Sequence, residues 1–322
     1  MKFVSISDLP WQEPVITEKL ASECLQQEPL LDSTLTYLSV PWATLIDSMN
    51  AKLPEVADPA KRVFEQISKL SEDNYFTVCQ HYRFNEIVEV FRSIGGKCIF
   101  APHAVRTNKI GDFLQKATAK IKQEIYTDIQ PFPLYAPNVP KITKDRPLLY
   151  SFVGAYMDHY LSPIRLNIFN DDNHPKNTVI VERKIWQFND QVYGQQIYRK
   201  KAEAVKGYLA NEKKKYYIRV LGASRYSLCP SGAGPTSIRV FESLGCGAIP
   251  VILADTFELP KLKDVDWNEC TLRIPENKYH RMRDIIESVS ATREREMRQN
   301  CLKAYKLLSG KNFVQCIRDY YE

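Results

Sequence analysis

The eight cysteines of this 322-residue chain are so spread that no two stand closer than Cys301 and Cys316, which excludes a zinc-type CxxC pair. Cys79, Cys229 and Cys246 sit among apolar residues and read as core thiols, a usage that suits a reducing compartment. Long apolar runs are missing too. The best, Cys246 to Ala254, is nine residues with Pro250 inside it, far short of the ~20 that a bilayer-spanning helix needs. Ser5, Ser7 and Asp8 stand where a signal peptide would place its apolar segment, so the expected location is cytoplasmic. Charge of one sign is scarce as well. Lys plus Arg number 44 against 38 Asp plus Glu, a net +6, too mild for a nucleic-acid binder yet enough to favour anionic ligands.

What the chain does have is packing material: 44% hydrophobic residues, with 18 Tyr and 14 Phe, exclude a disordered polymer. The length predicts about two domains. Strand-like Tyr75–Cys79 and Lys97–Phe100, with the apolar-periodic stretch Ile87–Ile94 and the stop Gly95-Gly96 between them, predict α/β units with a parallel sheet. Five prolines from Pro131 to Pro147 mark an interdomain linker, and Leu148 to Gly154 reads as the buried first strand of a second α/β domain. The expected division is a domain over 1–140, a second over 141–305, and a C-terminal helix within 306–322 that packs back on the first. Residues Tyr198 to Arg225 carry nine Lys or Arg against two Glu. They read as a solvated helix face and loop, with a surface for an anionic acceptor or an anionic membrane as the alternative.

The densest information runs from Tyr226 to Leu253. It parses as strand (Tyr226–Cys229), small-residue loop (Pro230–Pro235), N-cap (Thr236 or Ser237), short helix (to Leu244) and strand (Ile249–Leu253). Ser231, Gly232 and Gly234 let an anion approach the backbone beside the positive end of a helix. A diphosphate fits such a loop, although it is neither a Walker loop nor GxGxxG, and a plain βα turn is the structural alternative. Arg239 falls in the first helical turn with Glu242 three residues on. The pair is expected to clamp phosphate and accept from a ribose, unless it is only an i,i+3 ion pair.

These residues resemble the exostosin family of glycosyltransferases. The likeness rests on Cys229-Pro-Ser-Gly232, Ser237-Ile-Arg239-Val-Phe-Glu242-Ser-Leu244 and Cys246-Gly-Ala-Ile-Pro-Val251, extends to Glu258-Leu-Pro260 and Val265-Asp-Trp267, and reaches back to Leu149–Gly154 with Arg165. It implies two Rossmann-like domains facing across a cleft, of the GT-B type, with the nucleotide sugar on the second domain. It implies a single catalytic module that performs inverting, metal-independent transfer from a UDP-sugar to a glycan or lipid-linked glycan. The donor site would comprise Gly154, Arg165, Ser231, Gly232, Gly234, Ser237, Arg239 and Glu242. No cofactor, metal or nucleic-acid partner is expected. A GDP- or CMP-sugar donor, or a silent nucleotide- or glycan-binding protein, are the alternatives.

A general base is sought among histidines at strand ends, where ligand crevices of α/β sheets lie. His81 and His103 are the candidates, with Asp8 and Glu13 behind them. His159, His174 and His280 read as surface or structural residues, and Asp171-Asp172, Asp255 and Asp264-Val-Asp266 as turn residues rather than metal ligands.

Overall fold

The computed structural model describes residues 1–71, 74–105, 127–143, 145–200 and 204–322, with the backbone alone for 204–206. Its first sheet takes β1 (Lys2–Ser5), β2 (Thr36–Ser39), β3 (Tyr75–Val78), β4 (Gly96–Ala101) and β5 (Asp128–Pro131) in chain order, all parallel. Between these strands run α1 (Thr17–Gln27), α2 (Trp42–Met49), α3 (Pro54–Ile67) and α4 (Asn85–Ser93). β2 and β3 are buried at every position, so their side chains do not alternate apolar with polar; parallel sheets are covered on both faces. Gly95, at a φ of 91°, stops α4 and turns the chain into β4.

The second sheet holds β6 (Leu148–Ala155), β7 (Val179–Arg183), β8 (Ser224–Pro230), β9 (Ile249–Leu253) and β10 (Leu272–Arg273). Its order is β10-β9-β8-β6-β7, again all parallel. Chain direction across this sheet therefore reverses between β6 and β8. Open α/β sheets bind ligands at such a switch point, outside the carboxyl ends of the strands. The helices here are α5 (Ile164–Phe169), α6 (Ala204–Gly222) and α7 (Ile238–Cys246), the last closed by Gly247 in the left-handed region at a φ of 70°. α8 (Met282–Glu287), α9 (Ala291–Lys306) and α10 (Gln315–Tyr321) complete the chain. This is the expected arrangement of two Rossmann-like halves.

Several contacts join the halves. Tyr321 of α10 packs its ring 5.1 Å from Phe76 and 6.1 Å from Phe100, both in the first sheet. The Tyr320 hydroxyl donates to Asp128 at 2.7 Å. Val105 forms an antiparallel bridge with Phe257. After β7, a π-helical strap, Asp190–Ile197, crosses to the first half, where Gln196 donates to the Glu13 carbonyl and accepts from the Glu13 N–H, each at 3.0 Å. Phe188 and Val192 of the strap region pack against Val15 and Val56. All eight cysteines are buried and free. Among the described residues no helix is long and apolar enough to cross a membrane.

Candidate functional site

A cleft of about 500 Å³ opens between the two halves, lined by the carboxyl ends of both sheets. On the second sheet, β8 runs into the loop Ser231–Ser237 and then into α7. Ser237 is the N-cap of α7, but its side chain makes no capping bond to the first-turn N–H groups. The loop is tight around its neighbours. A Cβ on Gly232 would stand 3.0 Å from the Arg165 guanidinium, and one on Gly154 2.9 Å from the Phe152 ring.

Two guanidinium groups meet at the switch point. Arg165 donates to the carbonyls of Ala155, at the end of β6, and Ser231, just beyond β8, at 2.8 and 2.7 Å. Arg239 donates to the Val153 carbonyl at 2.5 Å and the Leu228 carbonyl at 3.4 Å. Both stand over the Phe152 ring, Arg239 at 4.6 Å and Arg165 at 5.6 Å, and Arg165 also lies 4.8 Å from the Tyr160 ring centre. All their hydrogen-bond partners are neutral main-chain oxygens. Burial and the Arg239 charge push the Arg165 guanidinium down to about 10. Arg183, at the end of β7, lines the same cleft and is lowered by burial and by Arg239. Three cations thus face one space, and among the described residues no carboxylate is bonded to any of them.

The same corner holds buried polar atoms that have no hydrogen-bond partner among the described residues: Arg239 Nε, Thr236 Oγ1 and His103 Nδ1. Each belongs to a residue that lines the cleft. Leaving such groups unpaired costs about 1–3 kcal/mol apiece. An anion among them would relieve that cost and the charge repulsion together.

The opposite wall comes from the first sheet. Asp47, on α2, accepts from Gln12 at 2.8 Å, from His81 Nε2 at 3.1 Å and from the Tyr193 hydroxyl at 3.4 Å. His81 Nδ1 accepts the Arg83 N–H at 3.0 Å. A backbone N–H can only donate, so the imidazole proton sits on Nε2 and is given to Asp47. This corrects the expectation of His81 as base: it lines the cleft, but neither nitrogen has a free lone pair. His103 also lines the cleft, and burial together with His81 pushes it down to about 3, too weakly basic to take a hydroxyl proton at neutral pH. Two carboxylates line this wall of the cleft, Glu13 and Asp47, and Asp47 also lies 3.7 Å from the Arg83 guanidinium.

Glu242 requires a second correction. It is fully buried behind Arg239 and does not line the cleft; the Tyr217 hydroxyl donates to it at 2.5 Å, with Asn138 beside it. Burial raises its carboxyl pKa. It forms no ion pair with Arg239 among the described residues: Arg239 turns to the Val153 and Leu228 carbonyls, with Tyr217 between the two side chains, while Glu242 keeps Oε1 without a hydrogen-bond partner. Ser231 lies just outside the lining and contacts Ser162 at 3.2 Å and Glu276 at 3.1 Å. Gly154, Arg165, Gly232, Gly234, Ser237 and Arg239 all line the one cleft.

Sequence reasoning missed Asp47, Gln12, Arg183, Trp186 and Tyr193, which line the cleft from segments without a recognisable motif. Of the other histidines, His159 lines the cleft, while His174 is structural, held between the Tyr150 hydroxyl and the Ile168 carbonyl. Among the acidic turn residues, Asp171 accepts from Asn173 and Tyr279, Asp255 from the Glu276 N–H, and Asp266 caps a short helix. Among the described residues no three His, Cys, Asp or Glu side chains gather as a metal site.

Residues 119–289 match the Exostosin GT47 domain. Over 85 residues, the chain is 36% identical to a probable glucuronoxylan glucuronosyltransferase, IRX7, of Arabidopsis thaliana, covering 26% of this chain and 19% of that protein. Over 89 residues it is 29% identical to the exostosin-1 homolog of Caenorhabditis elegans, covering 28% and 23%. The matched stretch thus spans about a fifth of the length of these relatives. Among solved structures, the sucrose-phosphate synthase of Thermosynechococcus elongatus is 12% identical with a TM-score of 0.45, covering 95% of this chain and 79% of that one.

Proposed function

Because the chain belongs to the Exostosin GT47 family, we propose that it is a glycosyltransferase that binds a nucleotide-diphosphate sugar in the interdomain cleft and transfers the sugar, with inversion, to a glycan or lipid-linked glycan. The observation that carries the reading is the pair Arg165 and Arg239. They are two neighbouring guanidinium groups at the switch point, bonded among the described residues to carbonyls alone and accompanied there by unpartnered Arg239 Nε and Thr236 Oγ1. A diphosphate supplies the missing charge and the missing acceptors. UDP is the nucleotide that the family resemblance favours.

In the reaction, an acceptor hydroxyl attacks the anomeric carbon while the bond from that carbon to the diphosphate oxygen breaks. Negative charge grows on the leaving diphosphate, where Arg165, Arg239 and the uncapped first turn of α7 already face it. The hydroxyl proton passes to Asp47, a carboxylate that His81, Gln12 and Tyr193 hold in one orientation. No step calls for a metal, since the arginines supply the charge. Eight free buried thiols support a cytoplasmic setting.

Calorimetric titration with UDP, GDP and CMP tests the donor site, and release of free UDP from UDP-sugars on adding acceptor tests transfer. Turnover that persists in EDTA supports the metal-independent reading. Absence of binding to all three nucleotides in the folded protein would overturn it.

A further inference from the structure

We propose that the exposed stretch 207–215 of α6 is a docking element for an anionic membrane surface, a role that does not depend on the chemistry of the cleft. Residues 207–215 are exposed without interruption, more than two turns of helix with no side turned to the core. An isolated helical stretch of that length has little to hold it in water. Tyr208 and Leu209, 67% and 51% exposed, are consecutive on it, and Leu209 stands one turn before Lys213, the first of three lysines. The only carboxylate of the stretch, Glu212, is taken by Lys215 at 2.8 Å. Lys213 and Lys214 have no ion pair among the described residues, and exposed Arg199 and Lys200 add to the same sign of charge.

A solvated helix face accounts for the lysines but not for a large aromatic and a leucine left in water beside them. An interfacial helix accounts for both: the cations meet anionic headgroups and the two apolar side chains enter the boundary with the acyl chains. A nucleic-acid backbone would meet the charge and leave Tyr208 and Leu209 unused. The placement also suits an amphiphilic ligand. The Arg183 guanidinium donates to the Lys213 carbonyl at 2.7 Å and itself lines the cleft, so the basic turn lies one hydrogen bond from the cleft wall.

The test is flotation of the full chain with phosphatidylcholine vesicles and with vesicles that are one third phosphatidylglycerol. The protein is expected to rise with the anionic vesicles only and to be released by high salt, which screens surface charge. Replacing Lys213, Lys214 and Lys215 together by alanine should cut partitioning roughly a hundredfold, at about fivefold per lysine, with an unchanged thermal melt. Tyr208→Ser with Leu209→Ser should weaken binding separately. The proposal is overturned if wild-type protein stays behind with the anionic vesicles, if the triple variant floats equally well, or if homopolymeric RNA competes the protein off the vesicles.

Discussion

His103 lies so close over Gly234 that a Cβ on residue 234 would stand 2.1 Å from its Nδ1. The two belong to different sheets: His103 follows β4 of the first half, Gly234 the loop after β8 of the second. The glycine is required by a side chain from the other half of the molecule. Its own loop does not need the left-handed region, and Gly234 is not among the positive-φ glycines.

Gly234→Ala should therefore push the loop off His103 and lower both the melting temperature and the affinity for UDP, the latter by about tenfold or more. His103→Ala removes the obstructing ring. The double variant should recover most of the UDP affinity, read by calorimetry; equal loss in the single and double variants would show that the contact does not shape the loop.

Arg165→Lys keeps a charge but cannot bond the Ala155 and Ser231 carbonyls as a fork. UDP affinity should fall by roughly 1.5–3 kcal/mol, the range for a lost bond to a charged group, and Arg239→Ala should fall as far. Arg239→Ala should also lower the melting temperature, because the Val153 carbonyl loses its side-chain donor.

Asp47→Asn should reduce kcat by about 10²–10⁴-fold with UDP binding retained, the usual contribution of a positioned base. His81→Gln should do less, since its part is to hold Asp47 in place. A His81 variant as inactive as the Asp47 variant, with a normal UDP titration, would return the proton to the imidazole.

Stability should vary with pH in two opposing ways. His103 is lowered from its usual 6.5 to about 3, so between those values the unfolded chain binds the extra proton and stability rises with pH. Glu18, buried between the Ala43 and Gln80 N–H groups, is raised by burial from 4.5 to about 8. Between those values the folded chain holds the extra proton, and stability falls as pH rises. The melting temperature should fall from pH 6.5 to 8, where Glu18 acts and His103 no longer does, and fall again toward acid below 4.5, where His103 acts together with the lowered carboxyls of Asp32, Asp171 and Glu269. Glu18→Gln should flatten the alkaline limb and leave the acid one, as calorimetric melts at each pH would show.

Much of the second half could be read in advance because its signals are local. The loop from Ser231 to Ser237 is followed at once by the helix it feeds, and β9 occupies Ile249–Leu253 as its apolar run predicts. Arg165 and Arg239 were legible through a family pattern. The place of Glu242 was not legible because spacing along a helix gives only a direction around its axis, and a Tyr217 hydroxyl from α6, 25 residues away, binds one of its two oxygens below the cleft surface. Asp47 was invisible for a related reason. It sits in the helix Trp42–Met49, where one acid among apolar residues carries no motif, and it becomes a site only through Gln12, His81 and Tyr193 from three other segments.

The strap from Asp190 to Ile197 has a mechanical meaning. By chain it belongs to the second half, yet its Gln196 amide is paired twice with the Glu13 backbone of the first, 183 residues away in sequence. Phe188 and Val192 bury themselves against Val15 and Val56 on that same side. The proline-rich connection near residue 140 and the docking of α10 on the first sheet lie away from the strap, which works as a further stay across the mouth. Widening the cleft beyond its present span then means breaking three hydrogen bonds, the one from Tyr193 to Asp47 included, and exposing an apolar patch, so the stay opposes the parting of the halves when product leaves.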